Sequence, residues 1–176
     1  GNIGNVYRRQ GRLDDAIKMF EESLKIFHDL GDRHSEGQTL GNIGNVYRRQ
    51  GRLDDAIKMY QADLEICRDL GDRYGEGQTL GNMGIVYLQQ SRLDDAIKMF
   101  DESLKIKRGL GDRQGEGNTL GNMGIVYLQR GRLADAIETF EESLKIFRDL
   151  GDRHGEGQIL VNMGTVYLKQ GLEEKA

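Results

Sequence analysis

Side-chain amides recur along this chain at a fixed interval. Gln38, Gln78, Asn118 and Gln158 form one series, and Asn42, Asn82, Asn122 and Asn162 a second. A carboxamide carries two donors and an acceptor, so it can pair with the N–H and the C=O of a peptide backbone together, whatever side chain that peptide bears. A file of amides at constant spacing suits the holding of an extended backbone. The alternative is that they are solvated or cap nearby turns. No catalytic set accompanies them. His28, His34 and His154 have no cysteine or carboxylate at ligand spacing and read as surface residues, and no Ser-His-Asp or Cys-His arrangement can be assembled. Cys67 is the single cysteine, and equivalent places hold Phe27, Lys107 and Phe147, which argues against a reactive thiol. The expected catalytic residues, metal sites and cofactors are none, and the chain reads as a non-enzyme.

The interval is 40 residues: GNIGNVYRRQGRLDDAIKM starts at Gly1, returns unchanged at Gly41, and recurs in variant form from Gly81, Gly121 and Val161. Self-similarity at a period of about 20 to 50 residues marks stacked supersecondary units. Within a copy, Leu40, Ile43, Gly44 and Tyr47 are spaced by threes and fours, which predicts a helix A over about 33–50. Asp32 or Asp72 is its expected N-cap, and Gly51 its break. Leu53, Ala56, Ile57, Tyr60 and Leu64 predict a helix B over about 53–70, closed by a left-handed Gly71. Met59, Ile66 and Leu70 add a second apolar flank, so helix B must touch its own helix A and that of the next copy. Proline is absent. Glycine inside a helix costs up to about 1 kcal/mol relative to alanine, so Gly44 is expected where two helices approach closely. The Asp-Asp-Ala-Ile runs read as solvated starts of helix B.

Composition bounds the partners. At 37% hydrophobic and 31% charged, with net charge −4, the chain has apolar residues for a thin continuous core and lacks a basic nucleic-acid footprint. No window approaches the roughly 18 apolar residues of a membrane span. A cytoplasmic setting is expected from the lone cysteine and the lack of a signal peptide. The chain opens and closes inside a repeat, so the expectation is a single array over 1–176 truncated at both ends. Its helix pairs are expected in 1–31, 32–71, 72–111 and 112–151, with a partial pair in 152–176.

Leu40, Ile43, Gly44, Tyr47, Gly51, Ala56, Tyr60 and Leu64 resemble the tetratricopeptide repeat (TPR) signature. The set recurs as Leu80, Met83, Gly84, Tyr87, Ala96, Phe100 and Leu104, and again as Leu120, Met123, Gly124, Tyr127, Gly131, Ala136, Phe140 and Leu144. The repeat is longer than the usual 34 residues, and Arg68 stands near the place where a proline is frequent. This longer variety resembles the arrays of Partner-of-Inscuteable adaptors, kinesin light chains and bacterial TPR proteins. The resemblance implies an all-α fold, a right-handed α-solenoid (superhelix) of antiparallel helix pairs with about nine helices, acting as a protein-interaction scaffold.

In that family the outer surface of helix A lines a concave groove. The resemblance therefore implies that an extended peptide is held by Gln38, Asn42, Asn45, Arg48, Arg49, Gln78, Asn82, Ile85, Gln89, Asn118, Asn122, Ile125, Gln158 and Asn162. The family's carboxylate clamp, which adds lysines and arginines to asparagines, is not reproduced. Asn45 becomes Ile85 and Ile125, and Arg48-Arg49 becomes Leu88-Gln89. Either this is drift on an exposed face, or the partner is acidic toward copies one and two and apolar toward copies three and four. Partners are expected to be proteins or peptides, with no nucleic acid and no membrane. A second expectation is a self-assembling repeat module, designed or recently duplicated, that forms a head-to-tail or helix-swapped homo-oligomer through uncapped ends and has no dedicated ligand.

Overall fold

The computed structural model describes residues 12–173. The helix A expected in the first copy, at the start of the pair in 1–31, lies outside them. The described residues form eight helices and no strand: α1 (Leu13–Leu30), α2 (Arg33–Arg49), α3 (Leu53–Leu70), α4 (Arg73–Gln89), α5 (Leu93–Leu110), α6 (Arg113–Gln129), α7 (Leu133–Leu150) and α8 (Arg153–Glu173). Contacts group the chain into two compact units, Gly1–Gln90 and Ser91–Ala176.

Helix ends follow from local chemistry. Each B helix stops at a left-handed glycine: Gly71 has φ +68°, its N–H donates to the Arg68 carbonyl, and the Asp72 N–H reaches the Cys67 carbonyl. Orphan carbonyls of the last turn are thereby satisfied. Gly31, Gly111 and Gly151 repeat the geometry. The next A helix starts one residue later, with Asp72 Oδ1 accepting from the Gly75 N–H at 2.9 Å, as Asp32 accepts from Ser35 and Asp112 from Gly115. Both expected caps are thus in place. A first-turn glutamate then locks the corner. Glu76 is buried and accepts from Arg68 of α3 (3.0 Å) and from Arg73, and Glu116 does the same with Arg108 and Arg113. Glu156 takes Arg148 and Arg153, whereas Glu36 has His28 in place of the first arginine.

In the first unit α1 packs on α2, α2 most extensively on α3, and α3 on α4. Gly44 makes the α2–α3 contact, since a Cβ there would lie 2.7 Å from Tyr60 Cε1. Ala56, the small residue on the facing helix, is fully buried. In the second unit α5 packs on α6, α6 on α7 and α7 on α8, with Gly124 set against the Phe140 ring in the same way. Phe140 has no exposed surface and sits among Ala136, Leu144, Met163 and Val166. The Asp-Asp runs are more than solvated starts. Asp14 accepts from Gln50 Nε2 and Asp54 from Gln90 Nε2, each at 2.8 Å, and Asp94 pairs with Arg130. Each bond ties the start of a B helix to the end of the following A helix.

The A-to-B corners need a left-handed residue too, supplied by Gly51 (φ +74°) and Gly131 (φ +75°). At the first, Arg52 donates its N–H to the Tyr47 carbonyl and lays its guanidinium 4.1 Å from the Tyr47 ring centre. Ser91 occupies this corner in another copy at φ +58°, where an L side chain costs roughly 1–2 kcal/mol.

Two stability tests follow from these contacts. Gly44→Ala, which puts a methyl into the Tyr60 ring, is expected to cost about 1–3 kcal/mol, and a urea melt unchanged by it contradicts the α2–α3 contact. Ser91→Gly relieves the strained corner and loses only about 0.4–1 kcal/mol through the freer unfolded chain. It should therefore raise the unfolding free energy by a net amount of up to about 1.6 kcal/mol, seen as a higher urea midpoint, and a lowered midpoint refutes the strain.

Candidate peptide-binding groove

Packing on α3 turns the face of α2 that carries Leu40, Ile43 and Gly44 inward, so Gln38 and Asn42 are left outside it. A cavity of about 480 Å³ opens in the first unit among α2, α3 and α4. The amides Gln38, Asn42, Asn45, Gln78 and Asn82 all line it. The second unit has a counterpart of about 410 Å³ among α6, α7 and α8, lined by Asn118, Asn122, Ile125, Gln158 and Asn162. Ten of the fourteen sequence-expected residues are therefore gathered at two equivalent cavities. Arg48, Arg49, Ile85 and Gln89 line neither. Arg49 and Gln89 are exposed toward the C-terminal ends of their helices, and Ile85 is half-buried. Arg48 is half-buried with its Nε lacking a hydrogen-bond partner among the described residues.

The amides differ in what they have left to offer. Asn45 Oδ1 accepts from the Tyr60 hydroxyl at 3.0 Å, which aligns its NH2 group as a donor. Where the aromatic is Phe140 the A-helix partner is Ile125, so hydroxyl and amide disappear together. Gln38 Nε2 lies 2.8 Å from His34 Nε2, and Gln114 Nε2 donates to Asp152 at 2.9 Å.

Helix B contributes a wall that the sequence reading did not include. Asp63, Ile66, Cys67 and Leu70 of α3 line the first cavity, and Phe147 of α7 the second. Asp63 is only 6% exposed, accepts from Thr79 Oγ1 at 2.6 Å, and receives the Cys67 thiol at 3.6 Å. Burial raises its carboxyl above the ordinary range, which the Asp72 carboxylate adds to and the two hydrogen bonds only partly offset. Cys67 is pushed up to about 12, mainly by burial and then by Asp63, so it is a thiol and not a nucleophilic thiolate. Gly37 and Gly41 are explained here: a Cβ at Gly41 would lie 3.0 Å from Asp63 Oδ2, and one at Gly37 3.0 Å from Ile66 Cγ2. The available signal was the departure of Asp63 from Ser23, Ser103 and Ser143, and of Cys67 from its three equivalents.

These helix pairs, with an A-helix glycine facing a B-helix aromatic, define an all-α repeat-hairpin protein. The chain belongs to the tetratricopeptide repeat family, whose model matches residues 1–62, 35–109 and 115–176. No curated protein matches it as a relative. Among solved structures it is similar to BtubC (BKLC) from P. vanneervenii, with TM-score 0.86 at 21% identity over 96% of this chain and 70% of that one. The nearly identical TPR-like repeats of a putative kinesin light chain from Podosopora anserina align over 99% of this chain and 86% of theirs, with TM-score 0.80 and 13% identity. Aspartyl phosphate phosphatase F from Bacillus subtilis aligns over 97% of this chain with TM-score 0.85 and 19% identity, this chain spanning 46% of its length. At these identities the likeness concerns the fold, the TPR solenoid class. No helix among the described residues is long and apolar enough to cross a membrane.

Asp63 yields a pH test. A raised acid binds its proton more tightly in the folded than in the unfolded state, so it lowers stability as pH climbs from the ordinary aspartate value of 3.8 through the raised one. Asp63→Asn keeps an acceptor for Thr79 and removes the charge. Its melting temperature should exceed the parent's at pH 7, with the gap closing as pH falls to 3.8 and below. An equal or lower value at pH 7 contradicts the burial argument.

Proposed function

We propose that this chain is a protein-interaction scaffold that holds extended peptide segments along the amide-lined faces of its A helices. The observation that carries this reading is the convergence of five expected groove residues, four or five of them amides, on each of two equivalent cavities. Unpaired carboxamide donors and acceptors fix a backbone without selecting its side chains, and neighbouring residues then set preference. Ile125 and Phe147 suit an aliphatic group in the second unit. Arg48, whose buried Nε has no partner among the described residues, supports an acidic residue beside the C-terminal end of α2, outside the first cavity. We place the protein in the cytoplasm, a setting that suits its free, buried Cys67.

A second reading has its own observation. α8 exposes Leu160, Val161, Tyr167 and Leu168, whereas the equivalent Leu120 of α6 is buried. Association of copies through that apolar face is the structural alternative.

Binding of a random peptide library to the chain and to an Asn42→Ala/Asn82→Ala variant separates the two. Losing two backbone-pairing amides should weaken captured peptides about tenfold or more, each hydrogen bond being worth about 0.5–1.5 kcal/mol, without lowering the melting temperature. Unchanged affinity refutes the groove. Light scattering that shows a concentration-dependent oligomer abolished by Leu168→Glu, together with no captured peptide, favours self-association.

A further inference from the structure

The first and second copies of the repeat differ at nine of 40 positions, and four of the changed residues, Asp63, Cys67, Tyr74 and Gly75, line one cavity; the first two change its chemistry most. Ser23 becomes Asp63, adding a charge, and Phe27 becomes Cys67, removing a ring. The pair makes this cavity unlike its counterpart, where Ser143 donates to the Gly117 carbonyl at 2.8 Å and Phe147 forms part of the wall. We infer that the first-unit cavity is a pocket for an organic cation, the ammonium or guanidinium of a lysine or arginine side chain in the bound peptide, with the buried Asp63 as its counter-charge. The inference rests on the peptide-groove reading and adds the side-chain class which that groove selects.

Asp63 serves no evident packing need. Its two donors are neutral, and the charge that acts on it is another carboxylate, Asp72, which also lines the cavity. Thr79 does not require it either, because the equivalent Thr39 and Thr119 bond the helix carbonyls of Ser35 and Gly115 instead. A carboxylate held in a desolvated wall without a cation is destabilising, and an entering ammonium would relieve exactly that imbalance by a charge-assisted bond. Gly37 and Gly41 leave the approach to its oxygens clear, and Asn42 and Asn82 line the same cavity, placed for the peptide backbone. Leu70, Ile66 and Tyr74 offer apolar surface to the methylene stem of a lysine or arginine. The facing titratable groups are His34 on α2, Asp63 and Cys67 on α3, and Asp72 and Tyr74 at the start of α4. Apart from His34, none of these groups is basic, so no lysine or arginine lines the cavity beside Asp63 among the described residues.

The test titrates the full chain at pH 7.5 with three probes, following the side-chain amide NMR signals of Asn42 and Asn82. The probes are acetyl-Gly-Gly-Lys-Gly-Gly-amide, the same peptide with norleucine for lysine, and n-butylammonium chloride. The lysine peptide is expected to bind at least about tenfold tighter than the norleucine peptide. Asp63→Asn and Asp63→Ser, the latter restoring the residue of the other copies, should each reduce that ratio to within about twofold while the chain stays folded. Equal binding of the two peptides overturns the cation inference and leaves the groove standing, as does a lysine preference retained by both variants. If n-butylammonium alone binds, and only with Asp63 present, the cation pocket stands while its peptide source and the groove reading fall. Binding of none of the three overturns the inference.

Discussion

The approach of helix A to its own helix B, made by α2 and α3 in the first unit and by α6 and α7 in the second, is the constraint on which the remaining structure depends. At Gly44 and Gly124 a missing Cβ lets an aromatic ring, Tyr60 or Phe140, lie against helix backbone. The helix-propensity cost of a glycine is small beside the burial of an aromatic side chain, which contributes roughly 1.5–3 kcal/mol. Once that contact is made the rotation of helix A is fixed. Leu40, Ile43 and Val46 turn inward, and residues 38, 42 and 45 are left facing the cavity. Core packing therefore decides which face of α2 and of α6 is turned to a cavity; amides hold that face at 38, 42, 118 and 122, while Asn45 gives way to Ile125.

Corners hold this geometry from copy to copy. A left-handed glycine, an aspartate cap and a buried glutamate occupy about ten residues at each B-to-A turn among the described residues. At three of the four turns the glutamate lies between two arginines, and at Glu36 His28 replaces one of them. Glu76 is nearly inaccessible but has two guanidinium partners, the condition under which a buried charge is tolerated. Asp63 breaks that rule within the same unit. It is as buried as Glu76, has no cationic partner among the described residues, and borders open volume. Sites where local chemistry departs from an otherwise consistent repeat are where function is expected to reside.

The TPR fold hosts many partners because the residues that define it are packing residues. In this chain Gly44, Ala56 and Tyr60 are such residues, and all three are buried. The similar solved structures differ from this chain at roughly four residues in five, or more. What distinguishes this chain lies at places such as the one held by Cys67, Lys107 or Phe147, of which Cys67 and Phe147 line the two cavities. Lys107 at that place donates to Thr119 at 2.9 Å, and burial lowers its ammonium below the ordinary lysine value.

Periodicity alone determined the hairpins, their ends and the inward face. Each of these is set within one 40-residue copy by spacing, capping and glycine positions, and the 33–50 and 53–70 expectations match the observed helices to within a residue. The amide series was equally legible, because residues on one helix share a face by geometry. The partners of Asp63, of Asp14 and of the corner glutamates were decided only in three dimensions. Asp63 is 16 residues from Thr79, and Asp14 is 36 from Gln50, separations at which helical phase says nothing about contact. Whether a polar residue is solvated or walled in depends on how neighbouring copies stack, and that is a property of the packed layers rather than of any one repeat.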